Sequence, residues 1–237
     1  MMPSSQFEFF GFAHIAAMGV ILAVPIVLTL VVRRLDSERT TQAICCAFAG
    51  VIALNEVLNW SYRLATVGVH EFVREYMPLH VCGIAVFAAV ITLVSRRQTA
   101  YEIAYFWGLV GATNAVVTPQ LEFGYPQYRF FQYFIAHGGI VAAALFATWG
   151  LGMRPTARSV LRVFVLLNLL AIVLIGDNLM LGSNYMFLCQ PPDTKSPFFF
   201  APWPWYLLFL NGVALVLFYV LFIPFAKRKL YASNSLR

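Results

Sequence analysis

The chain has 237 residues, of which 61% are hydrophobic and 11% charged, and its mean hydropathy is +0.76. An ordinary soluble domain is about 45–50% apolar and about 25% charged, so there is too little polar surface here to cover a globule in water. The 22 Phe exclude a disordered tail. The expectation is a single-domain (1–237), all-α, polytopic membrane protein.

A bilayer core of about 30 Å needs roughly 17–25 apolar residues per helix. Taken in chain order, seven stretches qualify: Phe9–Val32, Ala43–Trp60, Leu79–Val94, Tyr101–Val117, Phe130–Leu151, Val160–Leu181 and Trp203–Phe225. They are continuous runs, unlike the roughly ten-residue alternating segments of a membrane β-barrel. Lys and Arg collect on cytoplasmic loops. Twelve of them follow predicted helices 1, 3, 5 and 7, including Lys227, Arg228, Lys229 and Arg237; Arg63, Arg74, Arg129 and Lys195 fall on the other side. The N-terminus is therefore expected outside and the C-terminus in the cytoplasm, in a plasma membrane, most simply a bacterial inner membrane. The net charge of +6 reads as this bias plus attraction to anionic lipid, with no nucleic-acid footprint and no implied soluble protein partner. No basic n-region or small-residue cleavage site precedes Phe9, so helix 1 is expected to serve as the insertion signal.

Polar groups inside lipid cost at least about 2.5–3.5 kcal/mol when ionisable and are functional candidates by default. On the predicted topology His14, Glu56, Asn59, His80, Cys82, Asn114, His137, Asp177 and Asn178 all fall in the outer half of the bundle, with Asn184 in the loop beyond. Glu56, Asn59 and Arg63 share a helical face, as do Asn114 and Thr118; Asp177 and Asn184 do so if predicted helix 6 persists that far. Glu56 and Arg63 are placed either as an ion pair or with Glu56 serving the site. Trp203 and Trp205 sit where aromatic belts form, and Pro202 and Pro204 suit the first turn of predicted helix 7. Polar residues that merely hold helices together would scatter through the depth of the bilayer.

Among these groups a thiol near a helix start and an imidazole on another inward-running helix are a possible nucleophile and base. Pro78 is expected to open predicted helix 3, leaving Cys82 about one turn inside it. His137 at similar depth is the better partner, because His80 lies on a different face of the same helix. Asp177 or Glu56 can orient the imidazole, and His80, Asn114 or Asn178 can serve an oxyanion. Two bland readings stand beside this one: Cys82 as a small buried hydrophobe, or paired with Cys189.

The blocks Pro78-Leu79-His80-Val81-Cys82, Tyr133-Phe134-Ile135-Ala136-His137-Gly138, Asn184-Tyr185-Met186-Phe187-Leu188, and Pro202-Trp203-Pro204-Trp205-Tyr206 leading to Ile223-Pro224-Phe225 resemble the YwaF-like family of bacterial membrane proteins. That family has animal relatives that look like lipid-remodelling acyltransferases. Carried over by motif, the resemblance implies Cys82 as nucleophile and His137 as base, acting on phospholipid or lysophospholipid through a thioester. Neither a cofactor nor a metal is implied. A lipid or small-molecule binding or transport protein is the alternative, although no internal repeat or broken helix favours transport. A bis-histidine haem through His14, His80 and His137 is a third. Retinal is excluded on this reading, because the lysines are Lys195, Lys227 and Lys229 and none lies in a predicted helix to form a Schiff base.

Overall fold

The computed structural model describes residues 6–192 and 199–234, with side chains as far as Ala226. The predicted cations Lys195 and Arg237, and the side chains of Lys227, Arg228 and Lys229, lie outside the described residues. Helix α1 is Phe12–Leu35 and α2 is Glu38–Glu71, the latter followed by a π-turn, Phe72–Tyr76. Then come α3, Val81–Ser95, and α4, Gln98–Ile103, which runs through a π-turn, Ala104–Gly108, into α5, Leu109–Val117. The last three are α6, Tyr128–Trp149; α7, Ala157–Leu181; and α8, Trp205–Asn234, with a 3-10 turn at Tyr185–Phe187 between α7 and α8. Among the described residues the extended structure is a lone bridge, Gln6 to Phe123. The protein is all-α and of membrane type.

Among the described residues five helices are long and apolar enough to cross a bilayer: Phe12–Leu35, Glu38–Tyr76, Tyr128–Trp149, Ala157–Leu181 and Trp205–Ala226. The predicted third stretch, Leu79–Val94, is the 15-residue Val81–Ser95, apolar but short. The predicted fourth is divided by the π-turn. Boundaries shift where backbone rather than hydropathy decides. Predicted helix 2 stops at Trp60, where hydropathy falls, yet nothing in Ser61–Val67 breaks a helix; α2 runs on to Glu71, interrupted by a kink where Gly68 takes φ 80, ψ 170. Predicted helix 6 does not persist to Asn184. Gly182 adopts φ 63 and ends α7, so Asp177 and Asn184 share no helical face. At its other end α7 is capped reciprocally, with the Thr156 N–H donating to Ser159 Oγ at 2.8 Å. Predicted helix 7 begins at Trp205, after a cis Trp203–Pro204 bond, so its prolines precede the helix.

The chain forms two compact units. The first joins Met1–Tyr62 with Val81–Met153; the second joins Arg63–His80 with Arg154–Arg237. In the first, α6 is the central post, packed by α1, α3 and α5. Small residues make this possible. A Cβ at Gly138 would stand 2.4 Å from Ile21 Cγ1 of α1, and one at Gly108 would stand 2.4 Å from Ile140 Cγ2 of α6. The core of this unit holds Ile52, Ala85, Ala89, Ala112, Ile140 and Phe146, so alanine and glycine set close helix approach. In the second unit, α7 and α8 are joined by a reciprocal amide pair. Asn211 Nδ2 donates to Asn168 Oδ1 at 2.5 Å, and Asn168 Nδ2 to Asn211 Oδ1 at 3.4 Å.

Candidate functional site

Helix α3 begins at Val81, three residues after Pro78, so Cys82 lies in its first turn rather than one turn inside. First-turn N–H groups have no partner within the helix and favour negative charge beside them. The Cys82 Sγ sits on α5, 3.3 Å from where a Cβ on Gly111 would be. Any side chain at 111 would crowd the sulfur. On α6 the Tyr133 phenol lies within electrostatic range of Cys82, and its hydroxyl donates to the Ala115 carbonyl of α5 at 3.1 Å. His137 stands one turn further along, its ring 4.2 Å centroid to centroid from that of Tyr133. Cys82, Gly111, Tyr133 and His137 therefore gather where α3, α5 and α6 meet in the first unit. No hydrogen bond joins Cys82 to His137 among the described residues.

The protonation of His137 is fixed by its partner. Nδ1 lies 3.0 Å from the Tyr133 carbonyl, which can only accept, so Nδ1 carries the proton and Nε2 presents its lone pair. Asn114 follows Gly111 by three residues on the same side of α5. It is exposed, and Thr118 donates to its backbone carbonyl at 2.9 Å and to its Oδ1 at 3.4 Å. Its amide N–H₂ has no partner among the described residues. All four cysteines are free thiols.

Elsewhere in this unit the predicted polar residues are committed to packing. His14 is 1% exposed and spends both ring nitrogens on the backbone. The Phe10 N–H donates to Nδ1 at 3.0 Å and Nε2 donates to the Val116 carbonyl at 2.8 Å. Phe7, Phe10 and Phe134 enclose its ring. Such a histidine latches α1 to α5 and offers no nitrogen to a ligand. Among the described residues no group of three or more His, Cys, Asp or Glu could hold a metal ion. Asn59 accepts from Arg129 Nη1 at 3.0 Å, which also donates to Gln132 Oε1 at 3.1 Å. Asn55 Nδ2 donates to the Gln132 carbonyl at 3.3 Å. Glu56 adjoins this network, within electrostatic reach of Arg129. The Arg63 guanidinium lies over the Tyr76 ring at 4.2 Å.

In the second unit the remaining candidates hold the loop after α7. Asn178, 2% exposed, accepts from Ser183 Oγ at 2.9 Å and the Tyr185 N–H at 2.8 Å, and donates to the Tyr185 carbonyl at 3.0 Å. That loop clasp leaves it poorly suited to serve an oxyanion. Asn184 Oδ1 receives the Cys189 and Gln190 N–H groups at 3.1 and 3.3 Å. His80 Nδ1 accepts from the Met186 N–H at 3.2 Å, so its proton is on Nε2. Trp203 Nε1 donates to the Leu188 carbonyl at 3.0 Å, while Trp205 is exposed on α8. Asp177 is half-buried with no hydrogen bond or ion pair among the described residues. These contacts hold Met186 and Phe187 at φ 59 and 54, a left-handed backbone that costs non-glycine residues of order 1–3 kcal/mol each.

Comparison with known proteins fits this architecture. The profile of the TMEM164 family matches residues 9–222. The chain belongs to the TMEM164 family. It is also 27% identical over 156 residues to an uncharacterised protein of Treponema pallidum (strain Nichols), a match covering 64% of this chain and 63% of that protein. The chain thus spans less than two thirds of that relative's length. No solved structure matches.

Sequence reasoning passed over Gly111, Tyr133, Arg129 and Gln132. Helical spacing marks them all: Tyr133 and His137 at i, i+4, Gly111 and Asn114 at i, i+3, and Arg129 and Gln132 at i, i+3.

Proposed function

We propose that this member of the TMEM164 family is a membrane-embedded acyltransferase or acyl hydrolase acting on phospholipid acyl esters, with Cys82 as nucleophile and His137 as base. The reading includes seven spans in a plasma membrane, a bacterial inner membrane in the simplest case, with the N-terminus outside. It takes α3, and the continuous run of α4, π-turn and α5, as the two spans beyond the five long helices. The observation that carries the chemistry is the His137 tautomer. A carbonyl-held Nδ1–H leaves Nε2 as the acceptor, and the thiol lies on the Tyr133 side of the same helix meeting.

In this mechanism the Cys82 thiol gives its proton to His137 Nε2 while sulfur bonds to the ester carbonyl carbon. The resulting oxyanion takes hydrogen bonds from first-turn N–H groups of α3 and from the Asn114 amide. Collapse breaks the ester C–O bond, and the departing lysolipid oxygen takes the proton back from His137. The thioester then passes its acyl group to a lysophospholipid hydroxyl or to water. His137 removes that proton and returns it to sulfur as the C–S bond breaks. The π-turn Ala104–Gly108 supports the reading, because such turns recur at functional sites and this one sets the register of Gly111 and Asn114 against α3.

The test is lipid turnover by the purified protein in vesicles of chain-labelled phospholipid plus lysophospholipid, followed by lipid mass spectrometry. Labelled chain should move to the lysolipid or appear as free fatty acid, and Cys82→Ala should abolish both. Equal turnover by wild type and Cys82→Ala would overturn the assignment.

A further inference from the structure

On the side of α6 away from His137, α2 and α6 form a seam that carries two cavities end to end. The larger, of 570 Å³, lies between α1, α2 and α6; among the described residues its lining carries no charge and includes Ala16, Val20, Val51, Phe131, Ile135 and Ala142. The smaller, of 450 Å³, lies at the end of the seam nearest the α5–α6 loop and is lined by Leu58, Tyr62, Gln127, Tyr128 and Arg129. Leu58 and Tyr62 continue, at helical spacing, the α2 stripe of Phe48, Val51, Ile52 and Asn55. The two cavities thus follow one line. Between them stand the amides of Asn55, Asn59 and Gln132, bound to one another through Arg129 and the α6 backbone. From Arg129 to Ala142 helix α6 rises about 20 Å.

A cavity bearing Arg129 thus neighbours an uncharged groove, with amide groups between the two. We propose that the seam is a binding site for one membrane phospholipid, with its phosphate at Arg129 and one acyl chain in the groove beside α1. Charge selects the occupant. Arg129 has a planar guanidinium suited to phosphate, and it donates to the neutral amides of Asn59 and Gln132. Glu56 lies within electrostatic reach of it, so a phosphate shares Arg129 with that carboxylate. Tyr62 and Tyr128, whose rings lie 5.4 Å apart, are the amphipathic side chains that favour head-group depth. The site is separate from the Cys82 chemistry and does not rest on it.

The experiment uses the full chain carrying Cys82→Ala, so that turnover cannot consume the probe. After delipidation in detergent, it is titrated with phosphatidylglycerol and with diacylglycerol of the same chains, and bound lipid is counted by native mass spectrometry. One phosphatidylglycerol should be retained, with diacylglycerol bound about tenfold more weakly. Arg129→Gln should weaken phosphatidylglycerol by about tenfold and leave diacylglycerol unchanged. Ala16→Phe, at an exposed position whose new ring fills the groove, should weaken both. Equal binding of the two lipids by the parent, or unchanged phosphatidylglycerol binding by Ala16→Phe, would overturn the proposal. If Arg129→Gln fails to fold, the two-lipid contrast and Ala16→Phe still decide it. Acyl loading of Cys82 in the parent chain is read separately, so either site can fail without the other.

Discussion

Three histidines illustrate how one side chain acquires different roles from its backbone partner. His14 gives both nitrogens to Phe10 and Val116, His80 receives the Met186 N–H, and His137 donates to Tyr133. All three were visible in the sequence as polar residues in apolar runs, but their partners were not, because a carbonyl and an N–H look alike in a sequence. For His137 the structure predicts a specific spectrum. Its ¹⁵N signals at neutral pH should show a protonated Nδ1 and a bare Nε2; the reverse would remove it as base. Asn114→Ala should slow acyl transfer by about 10²–10³-fold, as loss of one oxyanion donor does, with phospholipid binding unchanged. Tyr185 supplies a pH test outside the membrane core. Burial is the main cause raising its phenol above the ordinary tyrosine value, and the Glu75 carboxylate adds to it, against the Met77 N–H that lowers it. The folded state therefore holds this proton more tightly than the unfolded chain. Its contribution to stability is complete below about pH 10 and falls as pH rises beyond that value. Since the neutral hydroxyl donates to the Val73 carbonyl at 2.7 Å, Tyr185→Phe should flatten that alkaline loss, measured by thermal unfolding across pH 8–11.

At the scale of elements, hydropathy located the apolar runs but could not supply the backbone events that end or interrupt them. Gly68 and Gly182 break helices by conformation, and the turn at Ala104–Gly108 inserts π geometry into a run with no Pro. Glycine in a membrane helix allows close approach of a neighbour, as at Gly138 and Gly139. A Cβ at Gly138 would meet Ile21 of α1, and one at Gly139 would stand 3.1 Å from Ile52 Cγ1 of α2. Gly138→Ala should therefore destabilise the protein by about 1–3 kcal/mol through overpacking. Adding Ile21→Ala should recover part of that loss, because the two changes touch the same space. Unfolding in mixed micelles measures both, and strictly additive effects would contradict the packing described. The sequence analysis also weighed polar glue against chemistry. Asn168 with Asn211, and Asn178 with its loop, are glue, whereas Asn114 keeps an amide to spare.

For the whole molecule, fold class was legible because 61% hydrophobic residues with 11% charge leave few alternatives. The proposed site was legible only in part. Cys82 and His137 stood out by residue type, yet Gly111 and Tyr133 became visible only when α3, α5 and α6 were in place. Inward-facing loops on one side of the membrane remain a testable consequence of the basic residues. In cells carrying a single introduced cysteine, an impermeant maleimide should label Tyr125→Cys directly and Arg97→Cys only after permeabilisation; the opposite pattern would invert the topology. The proposed chemistry requires that Cys82 becomes acylated with His137 as its base, and intact-protein mass spectrometry after incubation with phospholipid vesicles reads this acylation itself. A hydroxylamine-labile acyl adduct should form on wild type, be lost in Cys82→Ala and be slowed by at least about 10²-fold in His137→Gln. An adduct that persists in Cys82→Ala, or that forms at the wild-type rate in His137→Gln, would contradict it.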